Sequence, residues 1–353
     1  MERGPKIFIV MVAVTAIIVA SIGIVQLQSA LYNPSESDAL GEWKLSKYDG
    51  YSYDDELLSI TMKDGSSSDY DINITSSKDG IITGTYLGNT FKGTVTGRMF
   101  EASFSSSGEV FNIFGYLDSG SEMHLGIASL KDGKVSSSMA VYNRDGSRTV
   151  YEDDCKSIVG DWKVDSSVKN DTSEGVVSMI VEKQEFSIFR GKMTYESKTD
   201  VMTGFITPSK IGPTNLGMMI DTDGNVWNTL SMRGQVRLMN DYSEYLMTED
   251  GGYVQSFMDT NIQGCMKHND QGASITVEEQ DSYTIMGKVT DGKEYQLYGS
   301  FILLSSSKVL SVSLVSGTEE YEGFMTVSDS ITISAIDSAG NVLYLTLDKE
   351  GSQ

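Results

Sequence analysis

Past residue 38 the chain alternates between apolar and polar positions. Leu310, Val312 and Leu314 are separated by Ser311 and Ser313, and Ile331, Ile333 and Ala335 by Thr332 and Ser334. A period of two places one set of side chains on a buried face and the other in water, as a half-buried β-strand requires. Eight Asp-Gly dipeptides punctuate these runs, at Asp49, Asp64, Asp79, Asp132, Asp145, Asp223, Asp250 and Asp291. Both residues tolerate positive φ, so each dipeptide predicts a tight hairpin turn. No long helical period follows residue 38. The N-terminus differs: Ile7 to Val25 is an uncharged run, apolar on every face. As a helix it would span roughly 28 Å, close to the hydrocarbon thickness of a bilayer. A transmembrane anchor over residues 7–27 is therefore expected. Arg3 and Lys6 precede the run, and Glu36 and Asp38 follow it. This asymmetry places residues 1–6 in the cytoplasm and the C-terminal bulk outside the cell, in a single-pass protein of the cell membrane. Gln28-Ser29-Ala30 puts Gln where a leader cut needs a small residue, which favours a retained anchor. Residues 28–38 read as a stalk.

Self-comparison divides the remainder into three. Gly41-Glu42-Trp43-Lys44 recurs as Gly160-Asp161-Trp162-Lys163 and as Gly264-Cys265-Met266-Lys267. Val181-Glu182-Lys183-Gln184 stands before Gly191-Lys192 as Val277-Glu278-Glu279-Gln280 stands before Gly287-Lys288. From Gly84, Gly191 and Gly287 to the closing Gly146, Gly251 and Gly351 the distances are 62, 60 and 64 residues. Matched lengths of this kind mark a repeated structural unit. The units are taken as 39–150, 151–255 and 256–353, with the first hairpin longest in unit one. Asp221 of unit two aligns with either Asp118 or Asp132 of unit one. Units of this size, with frequent turns, suit seven or eight short strands. The expected fold is an all-β ectodomain of three tandem antiparallel β-barrels or sandwiches behind one transmembrane helix.

The Gly-x-Trp-Lys segments at Gly41–Lys44 and Gly160–Lys163 resemble the opening of strand one in lipocalin-like and avidin-like (calycin) barrels. The run Asp79 to Tyr86 resembles the second hairpin of such barrels. The resemblance implies that Trp43 and Trp162 plug one end of a barrel beside Gly41 and Gly160, and that unit three, with Met266 at the matching place, lacks that plug. It also implies small apolar ligands or capped proteins as partners. From the residues alone, Trp43 and Trp162 read as core. Trp227, without a counterpart in the other units, also reads first as core, and is the Trp with most to offer a surface or ligand contact.

Charge narrows the partners. A net charge of -22 and a pI near 4.4 repel phosphate backbones, which excludes nucleic acid as a partner. Two cysteines, Cys155 and Cys265, can form one disulfide in an oxidising compartment. Two histidines in different units give neither zinc-site spacing nor a catalytic triad. No cofactor is expected. Calcium is the one metal considered, because Asp221, Asp223 and Asn225 resemble part of a calcium loop, although a hairpin turn explains the same residues. Asn73-Ile74-Thr75 and Asn170-Asp171-Thr172 are glycosylation sequons. Together these features point to a membrane-anchored, non-enzymatic surface protein whose repeated units serve binding, adhesion or envelope structure. Its partners would be the membrane and a surface glycan, protein or small apolar ligand. The alternatives are a small-molecule carrier with hollow barrels, a pilin-like filament subunit, and a carboxylate-based extracellular hydrolase.

Overall fold

The computed structural model describes residues 36–350, apart from 64, 147–154, 156, 170–173, 208–214, 233, 241–242, 250–260, 282 and 305–307. The apolar run 7–27 lies outside the described residues. Among those described, no helix is long and apolar enough to cross a membrane. A 3-10 turn, Glu36–Ala39, leads into antiparallel β-structure.

Three barrels follow. The first contains β1 (Gly41–Tyr51), β2 (Leu57–Thr61), β3 (Ile72–Lys78), β4 (Ile81–Tyr86), β5 (Asn89–Thr96), β6 (Met99–Ser106), β7 (Glu109–Leu117), β8 (Glu122–Lys131) and β9 (Lys134–Asn143). It closes where β1 pairs with β9. Strand β2 pairs with the far half of β1, beyond the three residues that β1 pairs with β3. The second barrel contains β10 (Gly160–Lys169), β11 (Val176–Glu185), β12 (Ile188–Tyr195), β13 (Thr199–Thr207), β14 (Asn215–Asp221), β15 (Val226–Met232), β16 (Gln235–Met239) and β17 (Ser243–Glu249), closed by β10 on β17. The third contains β18 (Met266–His268), β19 (Ser274–Asp281), β20 (Thr284–Thr290), β21 (Glu294–Leu304), β22 (Lys308–Ser316), β23 (Glu319–Val327), β24 (Ile331–Asp337), β25 (Val342–Leu347) and β26 (Lys349–Glu350). Here β25 pairs with β24, and β26, its continuation past Asp348, closes on β18. With β2 set aside and β25–β26 taken as one, each barrel is an eight-stranded meander.

The meander settles the middle register. Counting strands, the turn at Asp221 joins the fifth and sixth strands of its barrel, and its counterpart in barrel 1 is Ser107-Gly108. It matches neither Asp118 nor Asp132. Asp79 and Asp132 do occupy hairpin turns, at φ of 55° and 50°. Asp49-Gly50 does not: it lies within β1, where Asp49 is buried, pairs with Lys47 at 2.8 Å and accepts a hydrogen bond from Ser59 Oγ. The chain turns instead at 52–56, where β2 begins.

Each barrel interior is an apolar cluster of its own. Trp43, Phe91, Phe100 and Tyr142 fill the first, Trp162, Phe189, Met193 and Trp227 the second, and Tyr283, Phe301, Leu310 and Met325 the third. A fourth cluster lies between the barrels. It joins Phe114 and Met139 of barrel 1, Phe205 and Met218 of barrel 2, and Ile302 and Phe324 of barrel 3. Strands that serve both an interior and this shared core lose their alternation, and all five residues of β16 are buried.

The barrels meet in a cycle. In each joint the fourth strand and the second turn of one barrel pack on the late strands of the next. Barrel 2 docks on barrel 1 through Phe205 of β13, whose ring lies 2.0 Å from where a Cβ on Gly126 of β8 would stand, so only glycine fits there. Thr203 and Ser137 share a buried hydrogen bond of 2.6 Å at the same joint, and Lys183 and Arg190 reach Asp55 at 2.7 and 3.2 Å. Barrel 1 docks on barrel 3 through Thr96 of β5, 2.6 Å from Thr326, and through the turn at Gly80, which lies against Ser334. Barrel 3 docks on barrel 2 through Tyr283, in the turn between β19 and β20, and Ser300 of β21. The Tyr283 amide donates to Glu244 Oε2 at 3.2 Å, its ring lies 4.2 Å from the Arg237 guanidinium, and Ser300 Oγ donates to the Asn240 carbonyl.

Candidate functional site

The surroundings of Trp43 and Trp162 form the most fully built polar and aromatic site. Trp43 is buried, and its indole N–H donates to the Ala39 carbonyl at 2.8 Å. Trp162 makes the same bond to the Ile158 carbonyl at 2.9 Å. Gly41 and Gly160 have φ of 111° and 156°, both in the positive-φ region that favours glycine. Arg144, just past β9, lies 4.1 Å above the Trp43 ring. Its guanidinium donates to the carbonyls of Asp38, Leu40 and Gly120. One cation thereby ties the incoming chain, the plug and the β7–β8 turn together. In barrel 2, Gln184 Oε1 accepts the Ile158 amide at 2.8 Å, and in barrel 3 Gln280 accepts the Ile262 amide at the same distance. The repeated Gln was visible in the sequence, but its backbone partner, Ile158 or Ile262, was not.

Barrel 3 departs from the sequence expectation at its plug. A turn at Ile262–Cys265 adds one residue before β18. Met266 consequently pairs with Thr276, and Lys267 with Ile275, the place that Trp43 takes opposite Ile72. A slip of one residue exchanges the two faces of a strand. Lys267, 8% exposed, therefore replaces Trp, with Nζ donating to the Asp329 carbonyl at 2.9 Å, and Met266 is only half-buried.

The calcium reading of Asp221, Asp223 and Asn225 is not what the geometry supports. Asp221 is fully buried, and its Oδ1 accepts the amides of Asp223 and Asn225 at 3.0 and 2.9 Å. Its Oδ2 accepts from Asn225 Nδ2 at 2.8 Å and from the Tyr195 hydroxyl. Every direction a cation would need is taken by a donor, and Asp223 pairs with Lys198. The same turn recurs at Asp337 and Asn341 on the surface of barrel 3. Burial, with Asp221 as hydrogen-bond acceptor, drives the Tyr195 phenol above its ordinary range.

The predicted disulfide is absent. Cys155 packs against the interior of barrel 2 and Cys265 against that of barrel 3, and the two are not bridged. Trp227 is buried, edge-on to Tyr245 at 5.6 Å, so it is core rather than a surface contact. Asn73 lies half-buried within β3, opposite Glu42 and Thr85. Asn170 falls outside the described residues.

Two features were missed in the sequence. Asp118, Glu122 and His124 bring ligand atoms within 4.8 Å of one another at the turn between β7 and β8, with His124 Nε2 2.9 Å from Glu122 Oε1. Their donor types suit a divalent cation, and the alternate spacing of Glu122 and His124 on one strand face was the available signal. Between barrels 1 and 3 lies a cavity of about 200 Å³ lined by Thr96, Thr326, Thr332, Ser334 and Tyr344. No protein family, curated protein or solved structure matches the chain.

Proposed function

We propose that this is a non-enzymatic, membrane-anchored surface protein that holds three barrels outside the cell as one stiff head for contact or for building an envelope layer. The observation that carries the reading is the apolar core shared by all three barrels. Beads for independent ligands would not need to bury their outer walls on one another, whereas a head that must keep its shape does. The apolar interiors favour this reading over a small-molecule carrier. The Trp plugs and eight-stranded meanders support the likeness to calycin barrels. The uncharged run 7–27 and its basic flank support the anchor and its orientation. The test is lysine labelling of intact cells that express the full chain, with a reagent that does not cross membranes. Labelling of the barrels before lysis is expected. Labelling only after lysis rejects the surface location.

A further inference from the structure

We propose that copies of this chain pair through two open sheet edges, β2 of one copy lying antiparallel on β10 of another. In barrel 1 the far half of β1 is covered by β2 along five paired residues, Lys47–Tyr51. In barrel 2 the corresponding half of β10, from Val164 to Lys169, pairs with β17 on one side, and among the described residues no strand lies on the other. Asp165, Ser166, Ser167 and Lys169 are exposed along it. The fold itself shows what occupies such an edge, namely a short uncharged strand.

The same chain carries that strand with a second edge open. β2 ends its sheet, and its sequence Leu57-Leu58-Ser59-Ile60-Thr61 has no charge, proline or bulge. Leu57 and Leu58 are each 45% exposed. Edge strands that stay solitary are usually guarded by such features. The neighbouring β11 also exposes Val177 and Ile180, which apolar side chains from β2 would cover.

Charge selects the orientation. Glu56 precedes β2 and Lys63 follows it, while Asp165 opens the bare stretch of β10 and Lys169 closes it. Antiparallel pairing places Glu56 near Lys169 and Lys63 near Asp165, whereas parallel pairing sets like charges together. With Leu57–Thr61 centred on Asp165–Lys169, Leu58 faces Val168 and Ser59 faces Ser167, and Glu56 lies one residue past Lys169 and Lys63 two residues from Asp165. Such a contact joins two different patches, so it builds an extended array unless rotation closes it. Each copy carries a net charge of -22, so the copies repel one another at long range. Association should therefore strengthen between about 0.1 and 1 M salt, as the screening length falls from about 10 to 3 Å.

The test uses the full chain in detergent micelles. Ser59→Cys and Ser167→Cys variants are oxidised mildly, separately and mixed. The mixture should give a disulfide-linked dimer about tenfold above either variant alone, and adding Leu58→Lys or Val168→Lys should remove most of that excess. Tryptophan fluorescence checks that each variant folds. The two lysines lie on different barrels, so a folding failure in one leaves the other informative. A mixture that crosslinks no more than its components overturns the pairing. So does salt-dependent association, read by sedimentation, that neither lysine weakens, since the contact would then belong to the apolar N-terminus.

Discussion

Lys267 is where one residue decides the character of a barrel end. Its ammonium holds the Asp329 carbonyl in the place where the other barrels keep an indole. Lys267→Ala should cost about 2–3 kcal/mol for the lost charged hydrogen bond, and Met266→Ala about 1 kcal/mol or less at a half-buried site. Urea midpoints read both, and the reverse order would put Met266 rather than Lys267 at the place of the Trp. Asp221→Ala should cost about 3 kcal/mol, because it leaves the Tyr195 hydroxyl and two amides without their acceptor. Calcium should shift the melting temperature of the native chain no more than that of Asp223→Ala, and a larger rise in the native chain would revive the metal reading of this turn. Glu244 makes a further case at this scale. Burial raises its carboxyl above 4.5 despite the adjoining Arg237. A raised carboxyl gives stability that is full below the ordinary value and is lost as pH rises through the shifted one. The stability of the native chain relative to Glu244→Gln should therefore fall as pH rises above the ordinary carboxyl value of 4.5. A flat or rising difference would show that the joint between barrels 2 and 3 does not bury this charge.

Among elements, much was legible and the exceptions have physical causes. Alternation in β22 and β24 was plain in residue type because each strand has one face in a barrel interior, but the expected wet face was not found: Ser311, Ser313 and Ser334 are buried too. It failed in β16, where the outer face is buried as well, so the pattern that marks a strand disappeared. Asp79-Gly80 and Asp132-Gly133 formed the expected turns, because nothing nearby opposed positive φ. Asp49-Gly50 was carried through as strand by a buried carboxylate with two partners, which outweighs a local turn preference. Repeat lengths marked the three units, yet they could not separate the fifth turn from its neighbours, because the barrels differ in which turns carry Asp-Gly. The one-residue slip at Ile262–Cys265 left no mark on the Gly-x-x-Lys pattern that seemed to align it. Of the site residues, Trp43 and Trp162 were readable as core from their repeated context. Arg144 was not, since its contacts join segments about a hundred residues apart.

At the scale of the whole molecule, the shared core makes the barrels interdependent. Phe205 fills the space above Gly126 and belongs to the cluster that reaches all three barrels. Phe205→Ala should remove about 3–5 kcal/mol. The native chain should unfold in one calorimetric transition, and the variant should show barrel 2 melting apart from the others. Separate transitions in the native chain would mean that the joints contribute little.

The cycle of joints has a consequence for assembly at low abundance. Three separate single-barrel chains using these contacts would form a ring only above a threshold set by mass action. Here sixteen residues, 144–159, link the first barrel to the second, and sixteen, 250–265, link the second to the third. Tethers of that length hold neighbours at an effective concentration in the millimolar range. Ring closure thus becomes independent of how many copies a cell makes, so the three joints need not be alike, and one uses a glycine seat, one a hydroxyl pair and one a buried ion pair.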